Sequence, residues 1–64
     1  MIENFIDRTV QIIYNDHKRN ISIQTILVRS VGDGRVKAHC YTANAPRIFT
    51  IANIIDVELI KQHA

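Results

Sequence analysis

Between Thr9 and Asn15 the chain alternates, with Val10, Ile12 and Tyr14 on one side and Thr9, Gln11 and Ile13 on the other. A period of two predicts a strand. The polar run Asn15-Asp16-His17-Lys18-Arg19-Asn20 that follows has the composition of a hairpin turn. Residues 21–31 read as a second, longer strand, with Ile21 and Ile23 on one face, Ile26 and Val28 on the other, and Leu27 interrupting. A change of inward face is what a small closed barrel needs where a strand turns its corner, although a strand buried on both faces has the same pattern. The chain is too short to bury both faces of a sheet, so a bend near Leu27 is the expectation.

Gly32-Asp33-Gly34 marks a compact turn ahead of the cleanest alternation in the chain: Val36, Ala38, Cys40 and Thr42 against Arg35, Lys37, His39 and Tyr41. One face is apolar and the other basic and aromatic. Residues 42–46 form the next connection, where Pro46 lacks a ladder donor and pushes Ala45 to an extended conformation. A short strand over 47–51 follows, Ala52-Asn53 breaks it, and Ile55, Val57 and Leu59 alternate with Asp56 and Glu58 in a final strand. Helical spacing is confined to residues 2–7, where Ile2, Phe5 and Ile6 share a face and predict a short N-terminal helical turn; the tail from Lys61 is expected to fray. Five strands joined by short turns predict a single domain over residues 1–64, mainly β, folded as a small five-stranded antiparallel SH3-like (Sm-like) or OB-like barrel.

Composition points the same way, because 12 Ile, 5 Val and 4 Thr make up 21 of the 64 residues. A hydrophobic fraction of 47% against 22% charged residues supports a packed core rather than disorder. At this length no deep substrate cleft fits. No apolar run exceeds three residues, so neither a spanning helix nor a signal sequence is expected in these residues, and no membrane partner is expected. With Cys40 as the single cysteine, no intramolecular disulfide forms, and a reducing cytoplasm is the expected setting. Eight Lys+Arg against six Asp+Glu leave a charge of only +2, so the distribution of charge matters more than its sum.

No catalytic set stands out. His39 precedes Cys40, but neighbours in a strand point to opposite faces, so the imidazole is badly placed to activate the thiol, and Cys40 reads as a buried small hydrophobe. His17, His39, His63 and Cys40 are scattered without CxxC or HxH spacing, so no metal or other cofactor is expected. The carboxylates show no converging pair and there is no glycine-rich phosphate loop, which leaves a non-enzymatic reading. What rises above background is the stripe of Arg35, Lys37, His39 and Tyr41, with Arg47 and Phe49 on the strand expected alongside. Such a surface holds phosphates and stacks a planar ring; a solvated sheet face, whose Lys and Arg keep edges soluble, has the same pattern. Phe49 itself reads as core, and Lys18 and Arg19 as solubilising turn residues. Ile13, Ile54 or Ile60, if exposed beside a free strand edge, would instead suit homodimerisation or a partner protein by sheet extension.

The order strand, turn, Ser-x-x-x-Ile, Val-x-Ser-Val, glycine turn, Ala-His-Cys-Tyr and Pro-Arg-x-Phe-x-Ile-x-x-Ile resembles the WYL domain, in particular its short variety. That signature runs alanine-aromatic-cysteine, then arginine-threonine-phenylalanine and a closing isoleucine. The residues that carry the resemblance are Tyr14, Ser22, Ile26, Val28, Ser30, Val31, Ala38, Cys40, Arg47, Phe49, Ile51 and Ile54, and it covers about residues 9–58. It implies an SH3-like, Sm-like barrel of the kind that sits beside helix-turn-helix domains in bacterial transcription regulators, or beside helicase and nuclease domains. It also implies that the domain senses a nucleotide or single-stranded nucleic acid through basic residues. Here Arg47 would pair with a phosphate, Lys37 and Arg35 would add charge, and Tyr41 or His39 would stack. The triplet that names the family is replaced around Val36-Lys37-Ala38, and Gln24, Ala43, Thr50 and Asn53 stand where family members often carry a basic residue.

Overall fold

Each expected strand forms in the computed structural model, which describes residues 2–60. The strands are β1 (Thr9–Asn15), β2 (Ile21–Gly32), β3 (Arg35–Cys40), β4 (Ala45–Thr50) and β5 (Ile54–Leu59). A 3-10 turn, Ile2–Phe5, precedes β1, and a second, Ile51–Asn53, joins β4 to β5. The fold is therefore mainly β. All pairings are antiparallel, in one sheet of order β4-β3-β2-β1-β5. The expected fraying from Lys61 lies outside the described residues.

The turns follow from a few side chains. Asp33 and Gly34, with φ of 53° and 73°, close a two-residue hairpin between the paired Gly32 and Arg35. Two positive φ values match the right-handed twist of the flanking strands. In the β1–β2 loop the Asp16 carboxylate accepts N–H bonds from Lys18 (2.8 Å) and Asn20 (2.9 Å). These bonds hold the Asp16 carboxyl below the usual carboxylate range, the Asn20 amide being the larger cause. Pro46 departs from expectation, since it lies inside β4 opposite His39. Its missing donor is tolerated there because β4 is the outermost strand.

The sheet curls without closing. In a flat sheet three spacings of about 4.8 Å would keep β4 some 14 Å from β1. Instead the rings of Tyr14 on β1 and Phe49 on β4 meet edge to face with centroids 5.0 Å apart. The Thr50 amide also donates to the Tyr14 hydroxyl at 3.1 Å. Side chains bridge that gap where a closed barrel would have a ladder, and among the described residues no strand pairing joins β4 to β5. The expected five-stranded antiparallel, barrel-like fold is thus present as an open, curled sheet, whose two edge strands are linked end to end through the three-residue turn.

Inside the curl lie Ile2, Val10, Ile12, Ile26, Val28, Val36, Ala38, Cys40 and Phe49. Removing one such large side chain from water contributes roughly 1.5–3 kcal/mol. Ile2 comes from the N-terminal turn, which is tied to β2 by the Asp7 amide donating to the Val28 carbonyl (2.7 Å) and the Val28 amide to the Arg8 carbonyl (3.1 Å). The expected switch of inward face near Leu27 does not occur. Register decides: Tyr14, Ile12 and Val10 pair with Ser22, Gln24 and Ile26, so the inner face of β2 runs continuously from Ser22 to Val28. The switch comes later, at Arg29, an extra residue between Val28↔Ala38 and Ser30↔Lys37 that lets Val31 turn inward opposite Val36. Ile21 and Ile23 are consequently outside, 66% and 59% exposed.

Candidate functional site

On β3 the alternation of apolar and charged positions becomes two faces: Val36, Ala38 and Cys40 are buried, Arg35 and Lys37 exposed, and His39 half-buried. His39 lies between Leu27 of β2 and Pro46 of β4, and its ring meets that of Tyr41 edge to face at 5.0 Å. Tyr41 begins the β3–β4 loop, anchored by its amide donating to the Thr25 carbonyl at 2.8 Å. Four of the five residues expected at the site, Arg35, Lys37, His39 and Tyr41, are therefore neighbours along one strand and its exit.

A depression of about 520 Å³, open to solvent, lies over β3 and β4, with Lys37, Arg29 and Arg47 supplying charge, His39 a ring and Pro46 and Ile48 an apolar rim. No described carboxylate lines it. A smaller hollow of about 280 Å³ continues from Lys37 to Arg35 and reaches Asp33 at the hairpin. At the far side of the sheet β5 carries Asp56 and Glu58 opposite Ile13 and Gln11 of β1. A net charge of +2 thus hides a sheet that is cationic toward β3 and β4 and anionic at β5.

Arg47 is placed differently from the other four. Its cross-strand partner is the buried Ala38, so by register it belongs to the inner face, at the open side of the curl. It lines both the outer depression and a separate opening of about 510 Å³ bounded by Tyr14, Ser22, Gln24, Thr42 and Phe49. Within that opening Gln24 donates from Nε2 to the Ser22 hydroxyl (2.9 Å) and accepts at Oε1 from the Cys40 thiol (3.2 Å). Thr42 Oγ1 accepts the Thr25 amide at 3.0 Å.

No family model, curated protein or solved structure matches this chain. The remaining candidates fall into place by burial. Phe49 is core at 6% exposure, and Cys40 is buried. His17 is on the β1–β2 loop with Lys18 and Arg19, apart from His39, while His63 lies outside the described residues. Ile13, Ile54 and Ile60 are half-buried; the large apolar residues left exposed include Ile21, Ile23, Ile48 and Ile55 instead. Arg29 is the cation that strand reading missed. Its odd-numbered position beside the inward Val28 was the available signal.

Proposed function

We propose that this chain is a non-enzymatic binding module for nucleotide or single-stranded nucleic acid. Arg29, Arg35, Lys37 and Arg47 receive phosphates, and Tyr41 with His39 offers ring surface to a base. The observation that carries this reading is the segregation of charge: a chain with nearly balanced acids and bases gathers cations in one open depression without a lining carboxylate. Phosphate needs that field, and an arginine fork reads it bidentately. The His39 ring lines that depression and meets edge to face the Tyr41 ring, which lines a neighbouring hollow with Asp7 and Arg8, and the pair adds the sequence-tolerant stacking that single strands use. The resemblance to WYL domains supports the same ligand class, and with it a regulatory or nucleic-acid-processing role in a bacterial cytoplasm.

Fluorescence anisotropy with labelled hexauridylate at several salt concentrations tests this. Lys37→Gln and Arg47→Ala should each weaken binding at least about fivefold and reduce the salt slope by about 0.7, the share of one phosphate on a single strand. Variants that bind as the parent does at every salt concentration would exclude this face.

A second reading, association with another copy or a partner protein, is favoured by two edge strands left unpaired among the described residues and by Ile48 on β4 and Ile55 on β5, 60% and 56% exposed. Light scattering behind size exclusion decides it, since a strict monomer at high concentration contradicts self-association.

A further inference from the structure

The first half of β2 is inside out: Ser22 and Gln24 take inner-face positions while Ile21 and Ile23 face solvent. A one-residue slip would reverse this, so the register holds two polar side chains in the opening against the hydrophobic preference of the segment. The hydroxyls of Tyr14, Ser22 and Thr42 each already accept a hydrogen bond, from the Thr50 amide, Gln24 Nε2 and the Thr25 amide. Each therefore keeps its own O–H to donate and one further lone pair. Gln24, oriented by Ser22 and by the Cys40 thiol, retains one N–H and one lone pair among the described residues. With the guanidinium of Arg47 the opening is rich in donors, and the rings of Tyr14 and Phe49 form an aromatic wall.

We infer that this opening is a base pocket for a uracil-type nucleotide unit. It rests on the nucleotide-binding reading above and extends it from the outer face to the inside of the curl. Uracil carries four carbonyl lone pairs for these donors and an N–H beside a carbonyl for the Gln24 carboxamide, whereas adenine carries three ring-nitrogen lone pairs and two N–H donors and so suits a donor-rich opening less well. The carboxylate at the rim, Asp16, belongs to the β1–β2 loop and is engaged by its own loop amides. The cation belongs to β4. A nucleotide therefore points its phosphate toward Arg47, which also lines the outer depression beside Lys37 and Arg29, so one arginine joins base pocket and phosphate face.

Amide-resolved NMR titrations of the full chain with uridine 5′-monophosphate, adenosine 5′-monophosphate, ribose 5-phosphate and hexauridylate test the inference. Uridine 5′-monophosphate, or the same unit in hexauridylate, should shift Ser22, Gln24 and Thr42 as well as Lys37. Ribose 5-phosphate should shift only the Arg29, Lys37 and Arg47 region. Gln24→Leu should weaken uridine 5′-monophosphate about tenfold, the loss of its hydrogen bonds, and leave ribose 5-phosphate unchanged. Ser22→Ala supplies the same comparison if Gln24→Leu fails to fold. Equal binding of uridine 5′-monophosphate, adenosine 5′-monophosphate and ribose 5-phosphate, or hexauridylate shifts confined to residues 35–41, would overturn the base pocket while the phosphate face stands. Absence of binding by every probe would overturn both.

Discussion

Replacing Phe49 by alanine separates a curled sheet from a flat one. On a flat sheet Phe49 would be an edge-strand residue touching little beyond Val36, its cross-strand partner. In the curl it is 6% exposed and meets Tyr14 across the opening. Truncating a buried phenylalanine costs about 3–5 kcal/mol through lost transfer energy and the cavity left behind. A domain of this length is stable by roughly 3–10 kcal/mol, so the variant should sit at the edge of unfolding. At about 4–8 °C per kcal/mol, Tm should fall by at least about 12 °C. Ile48, its neighbour on β4, is 60% exposed, and Ile48→Ala should cost less than about 0.5 kcal/mol. Phe49→Leu keeps most of the volume and should lose about 1 kcal/mol, which leaves a folded variant to measure. Urea melts followed by circular dichroism give all three values. Equal, small costs for Phe49→Ala and Ile48→Ala would refute the packing of β4 onto β1.

Other consequences follow from the turns and the core. The carboxyl of Asp16 should titrate below the ordinary aspartate range in a carbon-detected NMR titration, because loop amides bond its charged form. Its contribution to stability is then complete above the unfolded value near about 3.9 and is lost as pH falls through the lower folded value; Asp16→Asn should flatten that acid limb in melts between about pH 2 and 5. Gly34→Ala should destabilise by about 1 kcal/mol from backbone strain alone, since φ is 73° and an added Cβ would meet nothing within 4 Å. Gly32→Ala, with the same open space and no positive φ, should be neutral or stabilising in the same thermal melts. Cys40 should resist Ellman's reagent in the native protein and react once urea unfolds it, because its thiol is buried and engaged by Gln24.

The strands were legible in the sequence because local alternation is a local property, and β1 and β3 show it over their whole lengths. Asp33-Gly34 was equally legible, since that dipeptide has few other backbone solutions between two alternating segments. The inner face of β2 was not. Ile21 and Ile23 suggest burial on their own account, but pairing with Val10 and Ile12 outweighs them, and a bulge at Arg29 leaves no hydrophobic signature. Arg47 was legible in part: its strand lies beside β3 as expected, and it lines the depression with Lys37 and His39, while its place at the inner opening follows from pairing with Ala38. Counting parity along β4 from Phe49, itself read as core, was the signal for that inner position. The candidate site was thus readable where a single strand carries it and unreadable where the curl brings β1, β2 and β4 together around Tyr14, Gln24 and Arg47.

A nitrogen–proton correlation spectrum recorded during titration with hexauridylate at low and moderate salt tests the cationic face most directly. Salt-sensitive shifts are expected at Arg29, Arg35, Lys37, His39, Tyr41 and Arg47, with the acidic β5 residues Asp56 and Glu58 unmoved. A spectrum in which those six amides stay fixed at low salt, or in which shifts gather on β5 instead, would contradict binding at that face.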